Sequence, residues 1–460
     1  MTTWQAYLET NHDRYIEELF DFVRIPSVSA MAVHIPDVQR AAEWVATRLG
    51  AAGVEHVEVM PTGGHPVVYA DWLHAGDDLP TILIYGHFDV QPPDPLDLWE
   101  SPPFEPVLKD GRIYGRGASD DKGGMLTAII ATEALLRTEG GLPINVKFCF
   151  EGQEEIGSPQ IPEFLEAHKQ KFACDVILTS DGLMWSGDVP MILTALKGLA
   201  SFEIEVTGPQ SDMHSGLMGG MVANPLEALA RLIATMRDET GKIAIEGFYN
   251  DVRDLSAEDR QQFRETPFDD ETIKELAGVT DLFGELGYTN QERNWARPTL
   301  DINGIWGGYQ EDGTKTVLPS KATAKFTCRL VVDQEPTKIV ELVRRHVEKH
   351  LPVGVTAKLI SHKDRGMPYL IPTEHPVIDI TGQVLTEVFG VEPNFARVGG
   401  SIPITDSFKQ SLGAYTFNFG WSCSDEQLHA PNEFFRLRNF VRGQQAYCKV
   451  LHRLKAYRPS

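Results

Sequence analysis

Residues 81–90 read TILIYGHFDV, in which Ile82, Leu83, Ile84 and Tyr85 run together before Gly86, His87, Phe88 and Asp89. A continuous apolar run of that length fits a strand buried on both faces. Such a strand belongs in a sheet covered by helices on each side. The neighbouring sequence agrees. Apolar runs at 54–60 (VEHVEVM), 66–72 (PVVYADW), 144–152 (INVKFCFEG) and 175–182 (DVILTSDG) alternate with helical spacing at 37–52, 121–140 and 160–171. Residues 5–24 carry helical spacing as well. This alternation predicts an α/β domain with a mostly parallel sheet and helices on both faces.

The pattern changes near residue 198. GLASFEIEVTG (198–208), KATAKFTCRLVV (321–332) and GVTAKLISH (354–362) alternate with period two, which marks strands packed on one face. Helical spacing covers 224–239 and 336–351, with Pro225 near the first turn of the former. The polar stretch 240–297 has helical character and little core signal. After about 372 the first style returns, with a helix at HPVIDITGQVLTEVFG, a strand at 414–420 and a closing helix. The expected organisation is an α/β domain in two parts, 1–197 and 373–460, interrupted by an α+β insert at 198–372.

Lys and Arg total 42 against 65 Asp and Glu, a net charge of −23. Phosphate backbones are bound by Lys and Arg, so nucleic acid is not the expected partner, and an anionic membrane surface is not either. The five cysteines are scattered, with no CxxC, which suits reduced thiols in a cytoplasm. The start, MTTWQAYLETNHDRYIEEL, is polar and amphipathic, unlike the apolar core of a signal peptide. No run approaches the ~18 apolar residues of a membrane helix. The expectation is a soluble cytoplasmic protein.

The candidate chemistry lies at the strand ends. His87 and Asp89 are two apart and share a strand face, and a metal-bound imidazole needs its second nitrogen held, commonly by a carboxylate. Glu154 and Glu155, in EGQEEIGS, follow another apolar run. One such carboxylate can ligate a cation while its neighbour acts as a base on water. Asp120 and Asp121 precede a helix and could instead cap it. Asp181 before Gly182 could be a turn residue, and His429 in LHAPNE a polar loop residue. The glycines around Arg116 match neither GxxxxGK[ST] nor GxGxxG, so a phosphate cradle is not indicated. Together, however, the sites place His or acid at the carboxyl side of an α/β sheet, where ligands bind. Two His with several carboxylates suit zinc or manganese.

GHFDVQP, YGRGASDDKG, EGQEEIGS, SDG, DMHSG, TVLPSKATAKFTCRL, VGGSIPIT and LHAPNE occur in that order. In this the chain resembles the dinuclear metallopeptidases that include carnosinases, cytosolic nonspecific dipeptidase, aminoacylase and glutamate carboxypeptidase, most of all the carnosinase-like branch. The resemblance implies two divalent ions, zinc or manganese, bridged by Asp120. His87 and Asp181 would hold one ion, and Glu155 and His429 the other. Asp89 would orient His87, and Glu154 would be the general base. The insert would be a lid and dimerisation domain of a homodimer, with His214 reaching the partner's site to polarise the scissile carbonyl. Arg329, Thr316 and Ser401 would receive the substrate's carboxyl end. The implied reaction is hydrolysis of dipeptides or very short peptides, with N-acyl amino-acid deacylation on the same scaffold as the alternative. One departure concerns SHKDRGMPY: His362 is out of register with the branch's histidine, and Asp364 stands nearer its place.

Overall fold

A computed structural model describes residues 2–267, 269–400 and 403–458, without the side chains of residues 363–365 and 403. The chain divides into two units. The first comprises Met1–Thr194, Ile371–Phe395 and Pro403–Ser460, and the second Ala195–Leu370 and Ala396–Ile402.

The Thr81–His87 strand lies within the first unit's six-stranded sheet. The order is Glu55–Met60, Val67–Trp72, Asn145–Glu151, Thr81–His87, Val176–Thr179, Tyr415–Asn418. Val67–Trp72 runs antiparallel to both neighbours, and the other three pairings are parallel. Ile82, Leu83, Ile84 and Tyr85 are buried at 0–1 % exposure, as a strand covered on both faces requires. Successive residues face opposite ways. Tyr85 meets Phe408 of the Pro403–Leu412 helix at 5.2 Å between ring centroids. A Cβ added at Gly86, next along the strand, would come within 3.2 Å of Met125 on the Gly123–Glu139 helix. Helices therefore cover both faces.

The parallel registers align His87 with Glu151, and Tyr85 with Thr179. The strands consequently end at one level, and the segments after them emerge side by side. Gly86 is needed there for space: the same added Cβ would lie 2.4 Å from Ser180 Oγ and 2.7 Å from Asp121 Oδ2. The single helix expected over 5–24 is two, Trp4–Thr10 and His12–Val23. Asn11, whose Nδ2 donates to Tyr7 O at 2.8 Å, closes the first, the local side-chain bonding that disfavours Asn inside helices.

The second unit is built on an antiparallel sheet ordered Thr299–Gly307, Lys321–Leu330, Gly198–Thr207, Thr356–Gly366. Gly198–Thr207 alternates buried and half-buried residues throughout. Its inward Ala200, Phe202, Ile204 and Val206 pack with Leu229 and Leu232 of the Pro225–Ala234 helix and Ile339 and Val343 of the Pro336–His350 helix. Phe202 stacks on Phe326 at 4.8 Å. Two features depart from expectation. Thr299–Gly307 adds a fourth strand. Ile243, Ile245 and Phe248, in a stretch read as having little core signal, are buried in this core. Among the described residues no helix is long and apolar enough to cross a membrane.

Candidate metal centre

Asp120 is the meeting point of two groups of side chains in the first unit. His87, Asp120 and Asp181 form one, and Asp120, Glu155 and His429 the other, with the donor atoms of each within 4.8 Å of one another. His87 Nε2 lies 3.0 Å from Asp120 Oδ1, and His429 Nε2 lies 3.0 Å from Asp120 Oδ2. Each carboxylate oxygen thus faces one imidazole. His87 Nε2 is 3.9 Å from Asp181 Oδ2, and His429 Nε2 is 3.3 Å from Glu155 Oε2. Asp120 has non-helical backbone angles just ahead of the Gly123–Glu139 helix, and neither it nor Asp121 caps that helix.

The supports of these groups are mostly backbone. His87 Nδ1 meets the Asp89 carbonyl at 3.0 Å, with the Asp89 carboxylate 3.5 Å away. That carboxylate instead accepts the Glu154 and Glu155 N–H groups, each at 3.1 Å. Asp89 therefore couples the His87 strand end to the Glu154–Glu155 turn. Asp121 Oδ2 accepts from Ser180 Oγ at 2.8 Å, beside Asp181. Gln91 Nε2 donates to Glu155 Oε2 at 2.8 Å. Gln91, in the GHFDVQP stretch, was not among the residues expected at the site.

Clustered acids leave a strong electrostatic mark. Burial opposes it, yet hydrogen bonds from His429 and His87 hold Asp120 below the usual carboxylate range. Hydrogen bonds to Asp120 and Glu155 push His429 up to about 10. Burial lowers His87, but Asp120 and Asp89 outweigh it and raise the group well above 6.5. Burial, opposed by His87 and assisted by Asp181, Glu155 and Asp120, raises the Glu154 carboxyl well above its ordinary value. Burial and its acidic neighbours, against His87, bring Asp181 to about 6. Imidazole nitrogens among carboxylate oxygens form a donor set that suits divalent cations of the zinc and manganese type, and cations would satisfy the same demand for positive charge.

The other predicted residues lie in the second unit. His214 is exposed in the short Met213–His214 strand, paired with Val317. Its Nδ1 accepts from Gly216 N at 3.0 Å. Thr316 O accepts from Ser215 N at 3.0 Å, so His214 and Thr316 lie on adjoining antiparallel segments. Arg329, paired with Leu199 and Thr299, lines a cavity of about 410 Å³ together with Lys197, Asn294, Arg397 and Gly400. Lys197 was not anticipated; burial, opposed by Asp301 and assisted by Arg329 and Arg297, lowers it to about 7. Ser401 and the Asp364 side chain lie outside the described residues.

The model of Peptidase family M20/M25/M40 matches residues 83–453. The chain belongs to this peptidase family. The peptidase is 32% identical to Cys-Gly metallodipeptidase dug1 of Schizosaccharomyces pombe, over 98% of each chain. It is 30% identical to the Beta-Ala-His dipeptidase of Homo sapiens, over 96% of this chain and 90% of that protein. The solved M20 family metallo-carboxypeptidase Sso-CP2 from Sulfolobus solfataricus matches with a TM-score of 0.84 at 30% identity, covering 96% of this chain and 99% of that one. The protein is accordingly a hydrolase with the α/β fold of that family.

The electrostatics give a test. A raised imidazole pKa means that pairing of His429 stabilises the metal-free fold fully below pH 6.5 and ceases to do so as the pH rises through about 10. Near pH 7 the raised imidazoles hold protons, which a cation ligated by them would displace. Calorimetry of manganese uptake in buffers of different ionisation heat should therefore report a net release of protons. An uptake heat independent of buffer would count against this arrangement.

Proposed function

We propose that this peptidase hydrolyses the peptide bond of dipeptides or very short peptides at a centre of two divalent ions, zinc or manganese. The observation that carries the reading is the division of Asp120 between two ligand groups. His87 and Asp181 hold one ion, Glu155 and His429 hold the other, and Asp120 bridges them. The ions, when bound, supply acidification of a water and polarisation of the scissile carbonyl. Glu154 takes the proton of the attacking water and returns it to the leaving amine. A carboxyl raised by burial and like charge holds a transferred proton more readily than a free one, which suits the return of that proton to the amine. Asp89 fixes where Glu154 points, through the backbone bond at 3.1 Å.

In the second unit, Arg329 receives the substrate carboxylate as a bidentate partner, with Thr316 and Ser401 as further polar contacts. The insert, read as 198–372, serves as lid and dimerisation domain of a homodimer, and His214 polarises the carbonyl in the partner's site. The exposure of His214 supports this reading. So does the edge strand Thr299–Gly307, which exposes Ile302, Ile305 and Trp306, since an unpaired edge is a template for another chain. Five cysteines with no disulfide among them support a cytoplasmic setting.

The names of two relatives, Cys-Gly metallodipeptidase and Beta-Ala-His dipeptidase, favour dipeptides over the alternative, N-acyl amino acids. A panel of Xaa-Gly dipeptides, β-alanyl-histidine and N-acetyl amino acids, each with manganese and with zinc, tests this. Dipeptides should be turned over faster; preferential cleavage of the N-acetyl compounds would overturn the reading. Glu154→Gln should lower kcat by about 10²- to 10⁴-fold while both ions stay bound, whereas near-normal turnover removes Glu154 from the base role. Mixing inactive Glu154→Gln with inactive His214→Ala chains should restore part of the activity as subunits exchange. A mixture that stays inactive after exchange argues against a site shared between protomers.

A further inference from the structure

Glu433 is fully buried, and four donors surround its carboxylate. Oε1 accepts from Ser119 N at 3.0 Å and Asp120 N at 3.1 Å. Oε2 accepts from Gly117 N at 3.0 Å and Arg116 Nη1 at 2.6 Å. A carboxylate offers about four acceptor sites, so this one is saturated, and three of its donors are backbone. The segment it grips, 116–120, passes through Gly117, with left-handed backbone angles, into the short helical turn Ala118–Lys122, which is kinked at Asp120. Glu433 therefore sets the peptide planes from which the bridging side chain leaves.

The grip has a second end. Glu433 closes the loop that begins at His429, and Arg116 Nη2 reaches back to Ala430 O, next to His429, at 3.3 Å. Two further bonds reinforce the segment: Ser119 Oγ donates to Glu426 Oε2 at 2.6 Å, and Ser422 Oγ donates to Ser119 O at 2.7 Å. One buried carboxylate thus ties the loop bearing Asp120 to the loop bearing His429, two residues that must approach one cation together.

We propose that Glu433 is a positioning residue of the metal centre, which sets metal affinity by holding Asp120 and His429 in register without touching either ion. The proposal rests on the dinuclear reading above. Outer carboxylates that orient ligands typically change metal affinity by about 10- to 100-fold when altered. In Glu433→Gln the amide nitrogen must face two N–H donors, which leaves them without an acceptor.

The test uses the full chain, stripped with a chelator and titrated with manganese by calorimetry. Two ions bound by the unaltered protein uphold the dinuclear reading; no binding rejects that reading whatever Glu433 does. Given binding, Glu433→Gln should weaken manganese affinity by about 10- to 100-fold. At saturating manganese its KM for a dipeptide should stay unchanged, and Glu433→Asp, which keeps the charge, should recover part of the affinity. Glu133→Gln is the matched comparison, because Glu133 is also a buried, ion-paired carboxylate of the first unit. It should lower thermal stability and leave manganese affinity unchanged. The proposal is overturned if folded Glu433→Gln binds manganese as the unaltered protein does, or if Glu133→Gln weakens binding equally. Failure of both Glu433 variants to fold would likewise overturn it, by assigning the residue to the fold.

Discussion

Mutual repulsion among Asp89, Asp120, Glu154, Glu155 and Asp181 is the constraint around which the first unit is organised. Like charges at a few ångströms in a low-dielectric setting cost several kcal/mol, so their proximity requires compensation by donors or cations. The structure meets the demand in two ways. Asp89 and Asp121 are turned toward backbone N–H and hydroxyl donors. Asp120, Glu155 and Asp181 are left facing two imidazoles, whose raised pKa values record how strongly positive charge is wanted there. Asp89 and Asp121 thus act as struts, while Asp120, Glu155 and Asp181 form the candidate centre.

The sheet makes this concentration possible. Parallel register brings the ends of three neighbouring strands to one level, so residues far apart in sequence emerge within reach of one another. Gly86 gives room for Ser180 and Asp121 to approach the strand end. An apolar, helix-covered interior holds the strands fixed, and the charged groups are confined to the segments beyond it.

What could be read in the sequence follows from where the physical signal sits. Ile82–Tyr85 announced a doubly covered strand because burial on both faces leaves no polar position, and Gly198–Thr207 announced a half-covered one by strict alternation. Thr299–Gly307 was missed because an edge strand, with its register shifted between Ile302 and Gly304, is largely exposed and shows no clean period. Ile243, Ile245 and Phe248 were missed because they enter the core from irregular backbone, which has no periodicity to detect. The ligand candidates were visible as side chains. Their supports were not, because Asp89 and Glu433 act on peptide N–H groups, which every residue except proline carries. Nothing in the spelling of LHAPNE distinguishes its final acid from a solvated one.

The centre is also assembled across time. His87, Asp120, Glu155 and Asp181 precede His429 along the chain, with the whole second unit encoded between. At ribosomal speeds of roughly 5–20 residues per second, the ~250 residues separating Asp181 from His429 take about 12–50 s to synthesise. For that interval the acids have the His87 imidazole but neither the His429 imidazole nor the Glu433 tie. The strand Tyr415–Asn418, which extends the sheet beside Val176–Thr179, arrives in the same late stretch. Closing the sheet and bringing His429 to Asp120 and Glu155 are therefore nearly one event, so a nascent chain gathers both groups of side chains only as the body of the first unit becomes whole.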